Sequence, residues 1–133
     1  MKLIIIIGLP ASGKTTYYNE NFKDIYLFFD DFVSNMVSGE LIKSLKKTNQ
    51  DICIADPRLC NYSIFTKVMK IIEEIIDKSD ISLILFENNK DKCIINAKKR
   101  KNKNVEKTIE YLSNIYNYEN YNNYNYEIKE IKN

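Results

Sequence analysis

Gly8-Leu9-Pro10-Ala11-Ser12-Gly13-Lys14-Thr15 directly follows the apolar run Leu3-Ile4-Ile5-Ile6-Ile7 and opens a helix-compatible stretch that reaches Asn21. The octapeptide is a full GxxxxGK[ST] string with a strand before it and a helix after it, the context that gives the string its meaning. Glycine lets the chain take the dihedrals of a tight wrap and come close to a ligand, so that backbone N–H groups can line an anion. The helix that follows aims its positive end at the same place. Lys14 supplies a mobile charge for the β- and γ-phosphates of a nucleotide, and the Thr15 hydroxyl is placed to ligate a magnesium ion bridging them. Gly8, Pro10, Ala11, Ser12, Gly13, Lys14, Thr15 and Thr16 are therefore the expected nucleotide-binding residues, with ATP and Mg2+ as the implied cofactors.

Outward from the loop, strands and helices alternate. Residues 3–7 are β-branched and apolar without alternation, the pattern of a strand covered on both faces. Residues 25–29 form a second apolar strand ending in Asp30-Asp31, residues 52–55 a third closed by Asp56-Pro57, and residues 81–86 a fourth. Helix-compatible sequence follows strand two over residues 31–47. Ile64, Val68, Ile71, Ile72 and Ile75 fall at helical spacing over residues 62–78, and Val105, Ile109, Leu112 and Ile115 mark a last helix. Residues 87–104 read as a polar stretch with a small apolar cluster. Such alternation predicts an α/β fold, three layers with a mostly parallel sheet and helices on both faces. The expected organisation is one domain over residues 1–117 and an Asn/Tyr-rich tail over residues 118–133, irregular or loosely packed except for a possible edge strand over residues 127–132.

Ligands on such sheets bind at the carboxyl ends of strands, where this chain places its acids. Asp56 ends a short apolar strand and is expected in the magnesium shell, directly or through water, or else as the opener of the Asp-Pro turn. Asp30 is the expected general base that would take the proton of a hydroxyl acceptor, and Asp31 the N-cap of the next helix. After strand four, Lys98-Lys99-Arg100-Lys101 could close over the phosphates, with Arg100 preferred because a guanidinium binds phosphate in a planar fork. A solvated basic helix surface explains the same run. Arg58 could touch substrate or pair with a nearby acid.

Composition narrows the rest. The 133 residues suffice for one catalytic domain, and 20 basic against 18 acidic residues leave no global field that would advertise a nucleic acid or membrane partner. The absence of histidine removes imidazole bases and His-ligated zinc. Cys53, Cys60 and Cys93 form an odd set without CxxC spacing, expected as reduced core residues of a cytoplasmic protein. The N-terminal apolar run is shorter than a signal-peptide core or a membrane span requires. Asn89-Lys90-Asp91 lacks the spacing of a guanine-reading NKxD motif.

In the Gly8–Thr15 loop, the Asp30-Asp31 pair, the Asp56 strand and Asn96-Ala97-Lys98-Lys99-Arg100, the chain resembles a small P-loop kinase of the group containing polynucleotide 5′-hydroxyl kinases and zeta-toxin-like kinases. The resemblance covers most of residues 2–117. It implies a phosphotransferase that moves the γ-phosphoryl group of Mg-ATP to a hydroxyl of a nucleotide, a nucleic-acid 5′ end or a small metabolite. Lys14, Asp30 and Arg100 take the catalytic roles, and Thr15 and Asp56 the metal. Polynucleotide kinases usually carry an arginine shortly after the acidic pair and another early in the lid, where this chain has Val33 and Asn96, so the resemblance supplies no 3′-phosphate anchor. A nucleotide-binding NTPase or switch without an acceptor is the alternative.

Overall fold

An apolar run without alternation is satisfied only where both of its faces are covered, and β1 (Leu3–Ile7) takes that place at the centre of the sheet. The computed structural model describes residues 1–30, 50–101 and 103–133; Asp31, Val33 and the helix expected over residues 31–47 lie outside the described residues. Beside β1 run β2 (Leu27–Asp30), β3 (Ile52–Ala55), β4 (Ile81–Phe86) and β5 (Asn125–Lys129), in the order β2-β3-β1-β4-β5. Every neighbouring pair is parallel. The described helices are α1 (Lys14–Asn21), α2 (Tyr62–Ile72), α3 (Lys90–Lys99) and α4 (Glu106–Ile115).

The chain steps from β1 toward the β2 edge through α1, and from β3 over β1 to β4 through α2. Right-handed crossovers in opposite directions put α1 on one face and α2, α3 and α4 on the other. Strands thus leave β1 in both directions, and the crevice at its carboxyl end is the topological switch point. Register fixes what meets there: Asp30 pairs with Ala55, and Ala55 with Ile6, so Asp30 stands level with the end of β1 and Asp56 one residue further on. The expected α/β fold with a parallel sheet is thus the observed one.

Three elements differ from expectation. In α2 the buried stripe is Phe65, Val68, Met69 and Ile72, at i, i+3, i+4 and i+7, while Ile71 is 38% exposed and the helix ends at Ile72. Val68 and Ile72 of the expected stripe are buried, and Phe65 and Met69 complete that face in place of Ile71. Residues 90–99, read as polar, form α3, because Asn89 caps it by accepting from the Lys92 N–H at 3.1 Å and Cys93 and Ala97 bury a narrow stripe one turn apart. The Asn/Tyr segment is packed rather than loose. Tyr121 is fully buried and donates its hydroxyl to Leu59 O at 2.6 Å, while the expected edge strand is present beside β4, over residues 125–129 rather than 127–132.

Among the described residues no helix is long and apolar enough to cross a membrane. Cys53, Cys60 and Cys93 are free and buried in the core.

Candidate functional site: the phosphate loop and its cleft

Between the end of β1 and the start of α1 the chain wraps tightly, and two glycines make the wrap possible. A Cβ on Gly8 would lie 2.6 Å from Ser12 Oγ and 3.0 Å from Phe86 Cβ, so a side chain is excluded by contact. Gly13 has φ +101°, a left-handed conformation that L side chains rarely adopt. Ser12 is buried and its N–H turns inward to Leu9 O at 3.2 Å. Gly13 is the N-cap of α1 without a side-chain cap bond, and the first turn carries no acid, so the positive end of the helix faces the ligand space unquenched.

Lys14 is buried at 8% exposure, with its Nζ donating to Gly8 O at 3.0 Å, Leu9 O at 2.8 Å and Ser12 Oγ at 3.3 Å. The ammonium's three donors are all matched by the loop itself. Burial lowers its pKa from the ordinary lysine value, and the charges of Asp30 and Asp56 are among the groups opposing that shift. Both carboxylates therefore sit within electrostatic reach of the loop lysine, as the register of β2 and β3 requires.

The two acids have different surroundings. Asp30 is exposed at the end of β2. Asp56 is 0% exposed, and Arg58 clamps it: Oδ1 accepts from the Arg58 N–H at 2.8 Å and from Nε at 3.0 Å, and Oδ2 from Nη2 at 2.8 Å. Asp56 is thus both cap of the turn Pro57–Cys60 and partner of a guanidinium. Of the two sequence readings of Arg58, the structure places it with the acid. Among the described residues no group of three His, Cys, Asp or Glu side chains gathers as a metal site. The exposed Thr15 hydroxyl, a hard oxygen donor beside the loop, suits a magnesium ion whose other ligands come from phosphates and water. Asp56, buried and held by Arg58, would meet such an ion only through a bridging water.

A cleft of about 700 Å³ opens from the loop between α1 and α3, on the β4–β5 side. Ser12, Gly13 and Thr16 form its inner end, Tyr17 and Arg100 two of its walls, and the segment after β5 another. The structure thus brings Ser12, Gly13, Thr16 and Arg100 to one cavity, and places Asp30 and Asp56 toward the opposite edge of the sheet. Lys99 of the basic run also lines the cleft; sequence reasoning missed Tyr17 and residues 128–132 as lining, the latter because only the pairing of β5 beside β4 carries that segment to the cleft. Asn88 and Asn89 take structural duties. Asn88 Nδ2 donates to Ser113 O at 2.8 Å and Tyr116 O at 3.0 Å, and Asn89 caps α3.

Among solved structures, the chain is similar to Kti12 of Chaetomium thermophilum in complex with ADP-AlF3, at a TM-score of 0.49 and 19% identity, covering 91% of this chain and 77% of that one. No protein-family model matches the chain. Among curated proteins it is 36% identical over 134 residues to the uncharacterized protein R277 of Acanthamoeba polyphaga mimivirus, an alignment covering 98% of this chain and 96% of the relative. The chain therefore belongs to the same family as protein R277.

Proposed function

We propose that the protein binds Mg-ATP in the Gly8–Thr15 loop and transfers its γ-phosphoryl group to a hydroxyl-bearing acceptor. The carrying observation is a GxxxxGKT loop at the switch point of a parallel sheet, with its lysine buried among loop carbonyls and a cleft of about 700 Å³ leading away from it. The triphosphate lies along the loop N–H groups and the N-terminus of α1. Lys14 exchanges its carbonyl partners for phosphate oxygens. Thr15, with Asp56 behind a water, would hold a magnesium ion, which would supply neutralisation of phosphate charge.

Asp30, exposed and level with the end of β1, receives the acceptor on the side of the loop away from the cleft. In the transfer, the acceptor oxygen forms a bond to the γ-phosphorus while the β–γ bridging P–O bond breaks, and its electron pair leaves on ADP. The acceptor proton passes to an Asp30 carboxylate oxygen. Arg100, at the end of α3 and lining the cleft, steadies charge on the phosphates. Acceptor classes consistent with this chemistry are nucleotides, nucleic-acid 5′ ends and small metabolites.

The test is transfer from γ-labelled Mg-ATP by the wild type and Asp30→Asn, offered nucleosides, 5′-hydroxyl oligonucleotides, sugars and water. Label on one acceptor class, lost in the variant with ATP binding retained, is the expected result. Label released only as free phosphate, equally from both proteins, would overturn transfer in favour of an NTPase or switch.

A further inference from the structure

Asn96 carries more connections than a surface amide of a lysine-rich helix requires. Its Nδ2 donates to Ala11 O at 3.1 Å, across 85 positions of sequence, and to Lys132 O at 3.0 Å, while its Oδ1 accepts from Asn133 Nδ2 at 3.0 Å. Ala11 has φ 63°, a left-handed conformation penalised for any residue with a Cβ. The carbonyl that Asn96 holds therefore belongs to the one non-glycine residue of the loop in that region. Arg100 lies one helical turn further along, at the end of the same helix, and lines the same cleft. Three walls of the cleft meet at a single carboxamide: the phosphate loop, α3 and the segment after β5.

The side-chain type is matched to the task. Two carbonyl oxygens need N–H donors and the Asn133 amide needs an acceptor, and a short carboxamide offers both. A carboxylate has no donor, and lysine or arginine has no acceptor.

We infer that Asn96 is a positioning residue, which holds the left-handed turn of the phosphate loop at Ala11 and couples the loop to the helix bearing Arg100. The inference rests on the nucleotide-binding reading above for its consequence, though not for its geometry. Asn96 takes the Ala11 carbonyl and Leu9 O takes the Ser12 N–H, so both polar groups of that peptide are engaged within the protein and phosphate binding falls to the N–H groups at the start of α1. Without the amide, Ala11 relaxes toward negative φ and the turn that leads into α1 is no longer held.

Asn96→Ala, Asn96→Asp, Ala11→Gly and the double variant Asn96→Ala/Ala11→Gly separate this role from a merely structural one. Amide hydrogen exchange over residues 9–16 is read without nucleotide, and Mg-ATP affinity with a fluorescent analogue. Both Asn96 variants should weaken Mg-ATP binding by about tenfold, or about 1.4 kcal/mol, and speed exchange of the loop. The loss caused by Asn96→Ala should be much smaller when measured in the Ala11→Gly background than in the wild type, since glycine adopts positive φ without help. A structural role would lower the melting temperature with no such rescue. Unchanged loop exchange in Asn96→Ala, or strictly additive substitutions, would overturn the inference. If the wild type binds no Mg-ATP, the nucleotide reading falls, while the exchange comparison still decides whether Asn96 holds the loop.

Discussion

Lys14 is an ammonium whose three donors are consumed by its own loop, in a place where burial disfavours its charge. Its folded pKa lies below the unfolded value of 10.5, so between the two the unfolded chain binds more protons, and stability rises with pH through that window. Urea unfolding of the wild type at pH 7 and pH 10 should show this rise relative to Lys14→Met, which lacks the titrating group; parallel profiles would sink the assignment. Phosphate oxygens would restore the charged form, so Mg-ATP binding is expected to take up protons at alkaline pH, and Lys14→Met should lose nucleotide binding altogether. The wrap of the loop was legible in sequence, because the string encodes backbone shape locally, whereas the burial of Lys14 among its own loop acceptors was not. The state of Asp56 was not. A strand-ending acid before proline was expected in the magnesium shell, with the turn cap as the alternative, and only the fold of Pro57–Cys60 brings the Arg58 guanidinium onto both of its oxygens. Arg58→Ala should cost about 2 kcal/mol in chemical denaturation, the loss of charged hydrogen bonds to a buried carboxylate discounted for the guanidinium's partial exposure. No change would mean that the pair is not formed in solution.

At the scale of elements, legibility followed how much apolar area each one buries. The β1 and β4 runs and the α4 stripe announce themselves, since Ile109 and Leu112 bury at the spacing the sequence shows. The α3 helix buries only Cys93 and Ala97 fully, and its signal was the Asn89 cap rather than a periodicity. The tyrosines of the C-terminal segment were harder still, because their roles depend on oxygens far away in sequence. Tyr116 donates to Phe86 O at 2.7 Å, at the point where β4 ends beside the loop, and Tyr121 donates to Leu59 O in the turn that Asp56 caps. Each hydroxyl satisfies a carbonyl behind the site, and burial pushes both phenols above the ordinary tyrosine pKa. Tyr121→Phe keeps the ring and removes the donor, leaving a buried carbonyl without it, and should destabilise by about 1–3 kcal/mol in urea. Tyr116→Phe should cost a similar amount. A Tyr121→Phe variant of wild-type stability would show that water reaches Leu59 O and that the segment is less tightly seated than its burial indicates.

Across the whole molecule, the three cysteines report on how the site is coupled to the fold. Burial pushes the thiols of Cys53 and Cys60 up to about 12 and that of Cys93 up to about 11, so none reacts as thiolate in the folded protein near neutral pH, and modification must follow opening. The openings differ. Cys53 lies on β3, flanked by β1 and β2, and is released only when the sheet comes apart, whereas Cys93 needs only α3, with its narrow buried stripe, to detach. At pH 8, mass spectrometry of alkylated peptides should therefore find Cys93 labelled before Cys53. A ligand that binds only the folded state at a hundred times its Kd adds about 2.7 kcal/mol, so Mg-ATP should slow Cys53 labelling by about a hundredfold. Cys93 decides between two arrangements. If α3 is part of the ligand-bound unit, as its Arg100 and its Asn96 tie to Ala11 require, Cys93 slows as well, and Asn96→Ala removes much of that protection. If Cys53 is protected while Cys93 labels at its ligand-free rate, nucleotide is held by the loop alone and α3 closes over nothing.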